Sequence, residues 1–301
     1  MSVTTPSSGL SAWILASRPK TLAAAFIPVC VGTALAYHDG QLNLYAAGIA
    51  LLCAFLIQIG TNFANDYYDF VKGSDQQDRI GFERMTSSGR IAPATMLKAT
   101  YLTMGLAFVV GLLLVLHAGW IVLVIGVLSL IFGVAYTGGP YPLGYNGLGD
   151  LFVFLFFGII AVMTTYYIQA LEWSTVTFWA ALAVGALATN ILVINNLRDS
   201  EQDRRSGKRT LGVLFGDTAL KLEYLALTLL AFAIPPHYFV VESFGWPVLL
   251  PFLAAPLFVY LNIQVWTVAD KRRLNKTLEL TAAAMTLFGV LMAAGIVLQA
   301  G

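Results

Sequence analysis

The sequence predicts an all-α integral membrane protein, a single domain of nine transmembrane helices, and three observations carry that prediction. Of 301 residues, 58% are apolar and only 11% charged, with a mean hydropathy of +0.77, far outside soluble globular usage. The apolar residues gather in runs long enough to cross a bilayer, whose hydrocarbon core takes ~20 of them as a helix. All 17 Lys and Arg residues fall in the connections between those runs or at their ends.

The chain opens on a polar, Ser/Thr-rich stretch without the basic n-region and cleavage site of a signal peptide, so the first apolar run is expected to stay as a helix. That run covers about residues 20 to 37, and the second covers about 43 to 67 before giving way to acidic residues. The third and fourth, about 95 to 116 and 119 to 136, are joined by a short turn. A glycine- and proline-rich loop then leads to the fifth, about 149 to 170, and the sixth, about 177 to 198, ends in a second acidic stretch. The seventh, about 220 to 240, contains Pro235 and Pro236 and is expected to end early or kink there, because proline removes a backbone donor and crowds the preceding turn. The eighth and ninth cover about 246 to 267 and 279 to 299. Cys30 and Cys53 lie within helices as small apolar residues, forming neither a disulfide framework nor a zinc site.

The basic residues form four groups: Arg18 and Lys20; Lys72 to Lys98; Arg198 to Lys221; and Lys271 to Lys276. With nine spans all four groups share one side, which the positive-inside rule makes cytoplasmic. The N-terminus is then inside, the C-terminus outside, and His38, His117 and His237 belong to the outer face. A net charge of +1 is spread over those loops; the bilayer is the expected surroundings and no nucleic-acid partner is expected.

Two motifs carry the candidate chemistry. The second helix ends in Asn62-Phe63-Ala64-Asn65-Asp66-Tyr67-Tyr68-Asp69, followed by Lys72, Asp75 and Arg79. At 3.6 residues per turn Asn62, Asp66 and Asp69 share a face. The sixth helix ends in Asn195-Asn196-Leu197-Arg198-Asp199, with Asp203 one turn on and Lys208 and Arg209 beyond it. Asn195, Asp199 and Asp203 likewise share a face. The common four-residue Asn-to-Asp spacing, four helices apart, suggests an internal repeat of four-helix units, about 20 to 136 and 149 to 267, with the ninth helix as an addition.

Carboxylates at a helix C-terminus face the negative end of the macrodipole, unfavourable by about 0.3 to 1 kcal/mol each when exposed. Two such clusters call for cations. Hard oxygen ligands suit magnesium, which is typically shared between carboxylates and substrate phosphates, so a magnesium diphosphate is the economical ligand. Lys72, Arg79, Lys208 and Arg209 are placed either to meet phosphate oxygens or merely to satisfy the topogenic bias. Solvated helix ends are the bland alternative for the acids.

The loop after the fourth helix, Tyr136 to Asp150, is free of Lys and Arg and too rich in glycine and proline to be helical. Tyr136, Tyr141 and Tyr145 either line an aromatic acceptor pocket and face a carbocation or anchor the interface. Asp150 reads most simply as the N-cap of the fifth helix.

Together Ser17 to Leu22, Asn65 to Asp69 with Lys72 to Asp75, Gly144 to Asp150, and Asn195 to Leu211 resemble the intramembrane UbiA-type prenyltransferases over nearly the whole chain. Within that family they are most similar to the branch that prenylates 1,4-dihydroxy-2-naphthoate in menaquinone biosynthesis. The ubiquinone-type branch continues its first motif with an aspartate where this chain has Gly73, leaving Asp75 as a further candidate ligand.

The resemblance implies that Asp66 and Asp69 hold one magnesium ion and Asp199 and Asp203 a second, with Asn62 and Asn195 in support. It implies an inner-membrane enzyme taking a polyprenyl diphosphate and an aromatic acceptor, with 4-hydroxybenzoate as the alternative acceptor. An ion-coupled transporter is the competing class, but its acids would sit at midplane. A CDP-alcohol phosphotransferase would need a compact acidic pattern within one segment that is absent here.

Overall fold

The computed structural model describes residues 9–74 and 80–299, and among these there is helix and loop but no strand. Asp75 and Arg79, two of the candidate site residues, lie outside the described residues. Helix α1 (Leu10–Ser17) meets α2 (Ala23–His38) at a bend of 49°. Arg18 sits at the break in the left-handed region, φ 52° and ψ 68°. A non-glycine residue held there stores about 1–3 kcal/mol of strain.

Helices α3 (Leu44–Val71), α4 (Pro93–Ala118) and α5 (Trp120–Ala135) follow. Asn43 caps α3 by accepting from the Ala46 amide at 3.1 Å. The next span, α6 (Gly149–Ala170), carries a π-helical segment from Phe154 to Ile160. Helix α7 (Thr175–Arg205), capped by Ser174, leads through the short α8 (Leu211–Phe215) to α9 (Asp217–Val240), α10 (Trp246–Thr267) and α11 (Leu274–Val297). Among the described residues seven helices are long and apolar enough to cross a membrane, or eight if the bent α1–α2 pair is one span. The other expected span, α5, has 16 residues and so reaches about 24 Å, short of a bilayer core of about 30 Å.

Pro235 and Pro236 do not end their helix, which runs on to Val240. Within a packed membrane bundle, neighbouring groups re-satisfy the backbone that proline frees. Asp150 does not cap α6 either: it stands in the first turn, after Leu148 at the cap position.

Helix α7 is the axis of the bundle, with 72% of its apolar window buried, packed by α2, α6, α9 and α11. The approach of α6 depends on Gly158 and Gly185, because a Cβ at 158 would lie 2.6 Å from the Ala181 carbonyl oxygen and from the Gly185 Cα. Lipid-facing apolar side chains remain outside, such as Leu102 and Leu116 on α4. The three histidines sit toward the ends of α2, α4 and α9 away from the acidic motifs, where His38 stacks on Phe244 and His237 packs on Trp179.

Candidate active site

Both acidic motifs remain helical to their ends, α3 through Asp69 and α7 through Asp203. They face each other across a polar basin of about 80 Å³ whose walls include Asn65, Asp69, Asn195, Asn196, Asp199, Asp203, Lys208 and Thr210. The loop between α5 and α6 adds Tyr136, Thr137 and Tyr145, and Arg18 and Arg84 complete it.

The shared face of α3 splits along its length. Asn62 donates its amide to the Ser17 carbonyl at 2.9 Å and the Thr21 hydroxyl at 3.2 Å, tying α3 to the α1–α2 bend. Asp66 accepts the backbone N–H groups of Met85 and Thr86 at 3.0 and 2.8 Å, one on each oxygen. Its carboxylate therefore organises the α3–α4 loop, and neither Asn62 nor Asp66 lines the basin. That loop in turn carries Arg84, whose Nη2 donates to Asp69 at 2.9 Å. Asp69 also accepts from the Tyr145 hydroxyl at 2.6 Å and the Lys208 ammonium at 3.3 Å.

On α7 the organising side chain is Arg198, 2% exposed. Its guanidinium donates to Asp199, to the Asn195 amide oxygen and, at 2.9 Å, to Asn275 of α11. Asn196 donates to the Asp150 carboxylate at 3.2 and 3.4 Å, which is the partner Asp150 has in place of a helix cap. Asp203 forms an ion pair with Lys208 at 3.9 Å. Burial of charge this extensive is tolerated because every acid faces a cation or donors.

Lys72 donates to the Thr137 carbonyl beside the basin. Burial pushes its ammonium below the ordinary lysine range; Asp69 opposes that shift and Lys208 adds to it. Arg209 is exposed and reaches this region only through its backbone amide, which donates to the Tyr145 carbonyl. Tyr141 is 61% exposed and lines neither the basin nor the apolar cavity behind Tyr136. The structure thus brings together Asp69, Asn195, Asp199, Asp203, Lys208, Tyr136 and Tyr145, and leaves Asn62, Asp66, Arg209 and Tyr141 outside the basin.

Asn65, Arg84, Arg18, Asn196 and Thr210 are the residues that motif reading passed over. Asn65 and Asn196 had a signal, each being next to a residue of the chosen face. Arg84 had none, since only the reversal of the α3–α4 loop returns it to Asp69.

Behind Tyr136 opens an apolar cavity of about 230 Å³, lined by α2 through α6 with Val29, Cys53, Phe108, Leu123 and Phe156 among its walls. Tyr136 belongs to both cavities. Two loop glycines make room for it: a Cβ at Gly144 would lie 3.0 Å from its ring, and one at Gly149 2.9 Å from its hydroxyl. Burial raises the Tyr136 pKa, and Asp150, Asp69 and Asp203 add to the rise, so it stays a neutral phenol.

The donor set fits a magnesium diphosphate. Among the described residues no three acids, histidines or cysteines converge to enclose a metal, whereas magnesium needs only one or two carboxylates with water and phosphate oxygens. Among the described residues the Thr210 hydroxyl, buried at the basin, has no hydrogen-bond partner, and it is the kind of orphaned donor that an anion satisfies.

The UbiA prenyltransferase family matches residues 25–290. The chain is 39% identical over 297 residues to a 1,4-dihydroxy-2-naphthoate octaprenyltransferase of Escherichia coli (strain K12), covering 96% of each chain. Among solved structures, a UbiA homolog from Aeropyrum pernix K1 superposes with a TM-score of 0.69 at 15% identity, covering 92% of this chain and 97% of that one. A UbiA homolog from Archaeoglobus fulgidus bound to DMAPP and Mg2+ gives 0.61 at 15% identity, covering 93% and 98%.

Proposed function

The chain belongs to the UbiA prenyltransferase family, and we propose that it transfers a polyprenyl group from a polyprenyl diphosphate to 1,4-dihydroxy-2-naphthoate. Pyrophosphate and CO2 are released, and the product is the quinol form of demethylmenaquinone. The observation that carries this reading is the meeting of a charged basin and an apolar cavity at Tyr136. One amphiphilic substrate fills both, its diphosphate among the aspartates and its tail among α2 to α6.

Asp69, Asp199 and Asp203, with the amide oxygens of Asn65, Asn195 and Asn196, would hold magnesium, two ions in this reading, one at each motif. Bound there, magnesium supplies Lewis-acid neutralisation of charge on the departing pyrophosphate. Asp66, assigned to a metal on sequence grounds, acts instead through the loop it holds. Lys208 and Lys72 offer ammonium donors to phosphate oxygens.

The allylic C–O bond breaks with its electron pair going to the diphosphate, and the neutral Tyr136 ring faces the cation with its π-electrons. The acceptor ring attacks through the carbon bearing the carboxylate. The bond to that carboxylate then breaks, its electrons restore the aromatic ring, and CO2 departs. No strong base is required, in keeping with histidines at the opposite ends of the helices. The apolar walls exclude water from the cation.

The grouping of all 17 basic residues supports a site on the cytoplasmic side of a bacterial inner membrane, with the N-terminus inside and the C-terminus outside. Purified protein given a polyprenyl diphosphate and the naphthoate should release pyrophosphate and CO2 in a magnesium-dependent manner. Prenylation of 4-hydroxybenzoate in preference, seen by product mass spectrometry in an acceptor panel, would replace the acceptor. Ion-dependent uptake in proteoliposomes without pyrophosphate release would overturn the reading.

A further inference from the structure

Tyr145 touches more of the basin's machinery than any motif reading assigns to it. Its hydroxyl lies 2.6 Å from Asp69 Oδ1 and 2.6 Å from Ser74 Oγ. A phenol has one proton to give. With the carboxylate as acceptor that proton goes to Asp69, and Ser74 donates to the phenol oxygen. The same ring lies under two ammonium groups, Lys72 Nζ at 4.7 Å and Lys208 Nζ at 4.5 Å from its centroid. Its carbonyl accepts the Arg209 amide at 2.8 Å, fixing the loop that follows α7 against the loop that precedes α6.

We infer that Tyr145 is the positioning residue that joins the two halves of the diphosphate site, its hydroxyl orienting Asp69 and its ring face seating Lys72 and Lys208. The inference rests on the diphosphate reading of the basin. The ring is committed to two cations and the hydroxyl to a carboxylate, so Tyr145 does not serve as a wall for an aromatic acceptor. Lys72 and Lys208 are like charges 4.7 and 4.5 Å from one ring centroid, and the ring's π-electrons and Asp69 offset their repulsion. Lys72 follows α3 and Lys208 follows α7, so one side chain sets the spacing of cations contributed by both acidic motifs.

The two functions separate chemically. Tyr145→Phe keeps the ring face and removes the hydroxyl. Pentafluorophenylalanine in place of Tyr145 keeps a ring of similar shape but reverses the sign of charge on its face.

The test is calorimetric binding of inorganic pyrophosphate to the full chain in nanodiscs, with and without Mg2+, beside steady-state pyrophosphate release. Tyr145→Phe should leave the metal-free Kd within about twofold, since the ring face persists. It should raise the Mg2+ concentration for half-saturation by about tenfold or more, as loss of a group orienting a metal ligand does. The fluorinated ring, compared with Tyr145→Phe, should weaken metal-free pyrophosphate binding by about fivefold or more, the loss of two cation–π contacts.

Equal Mg2+ requirements in wild type and Tyr145→Phe, or equal metal-free Kd values for the two rings, would overturn the inference. A wild-type protein that neither binds pyrophosphate nor releases it would instead remove the diphosphate reading itself.

Discussion

Arg198 clamps the carboxylate of its own sequence neighbour, its Nε and Nη2 each 2.7 Å from an oxygen of Asp199. Adjacent residues on a helix do not ordinarily face each other, and here the long guanidinium arm folds back while Asn195 and Asn275 take its other donors. Arg198→Lys keeps the charge but loses the planar fork, so a rise in the Mg2+ requirement of about tenfold or more is expected in pyrophosphate release. Arg198→Ala leaves buried Asp199 without this partner, and a loss of about 3–5 kcal/mol is expected in denaturant unfolding.

Asp66 and Asp69 are three residues apart on one helix and should fail differently. Asp66→Asn replaces one of the two acceptors for the Met85 and Thr86 amides with a donor. It should lower the thermal midpoint, with a cost of about 1–3 kcal/mol for the amide left unsatisfied. Asp69→Asn removes the charge that pairs with Arg84 and Lys208, so it should also lower the midpoint, and unlike Asp66→Asn it should abolish magnesium-dependent turnover. Magnesium-dependent turnover surviving in folded Asp69→Asn, or abolished in folded Asp66→Asn, would contradict the split.

Removing divalent metal with a chelator should stop pyrophosphate release, and added Mg2+ should restore it. Asp199→Ala should reduce turnover by about 100-fold or more, the scale on which loss of transition-state charge stabilisation is felt. Substantial turnover in that variant would exclude Asp199 as a metal ligand.

Tyr136→Phe keeps the ring where the two cavities meet, and its kcat should stay within about tenfold of wild type if the π face is what acts. Tyr136→Ala should lose far more. Gly149→Ala, whose methyl group would press on the Tyr136 hydroxyl from 2.9 Å, should lower kcat with the prenyl diphosphate KM little changed.

Filling the apolar cavity should discriminate among donors by tail length. Ala50 lies on its α3 wall, and Ala50→Phe should raise KM for long polyprenyl diphosphates more than for a five-carbon one. An equal change for both would place the tail elsewhere.

Much of the fold was legible in the chain because a bilayer imposes length and composition on any helix that crosses it. The expected ends near 37, 43, 170, 240 and 267 fall close to the observed ones. The count of spans also put both acidic helix ends on one side of the bundle, as the candidate site. Periodicity could not divide a face: Asn62, Asp66 and Asp69 are equivalent by spacing, yet Asn62 turns to the α1–α2 bend, Asp66 to loop amides and Asp69 to the basin. What each one meets depends on chain far away in sequence.

Composition and the positions of charged residues therefore determined by themselves that this is a membrane bundle with two acidic helix ends and a basic escort. Only tertiary structure decided that Arg84 and Tyr145 converge on Asp69, that Asp150 serves Asn196, and that Tyr136 stands between a charged basin and an apolar cavity. The physical reason is that helix periodicity fixes directions within one helix. The partners of a buried charge are set by loops and neighbouring helices that must satisfy it.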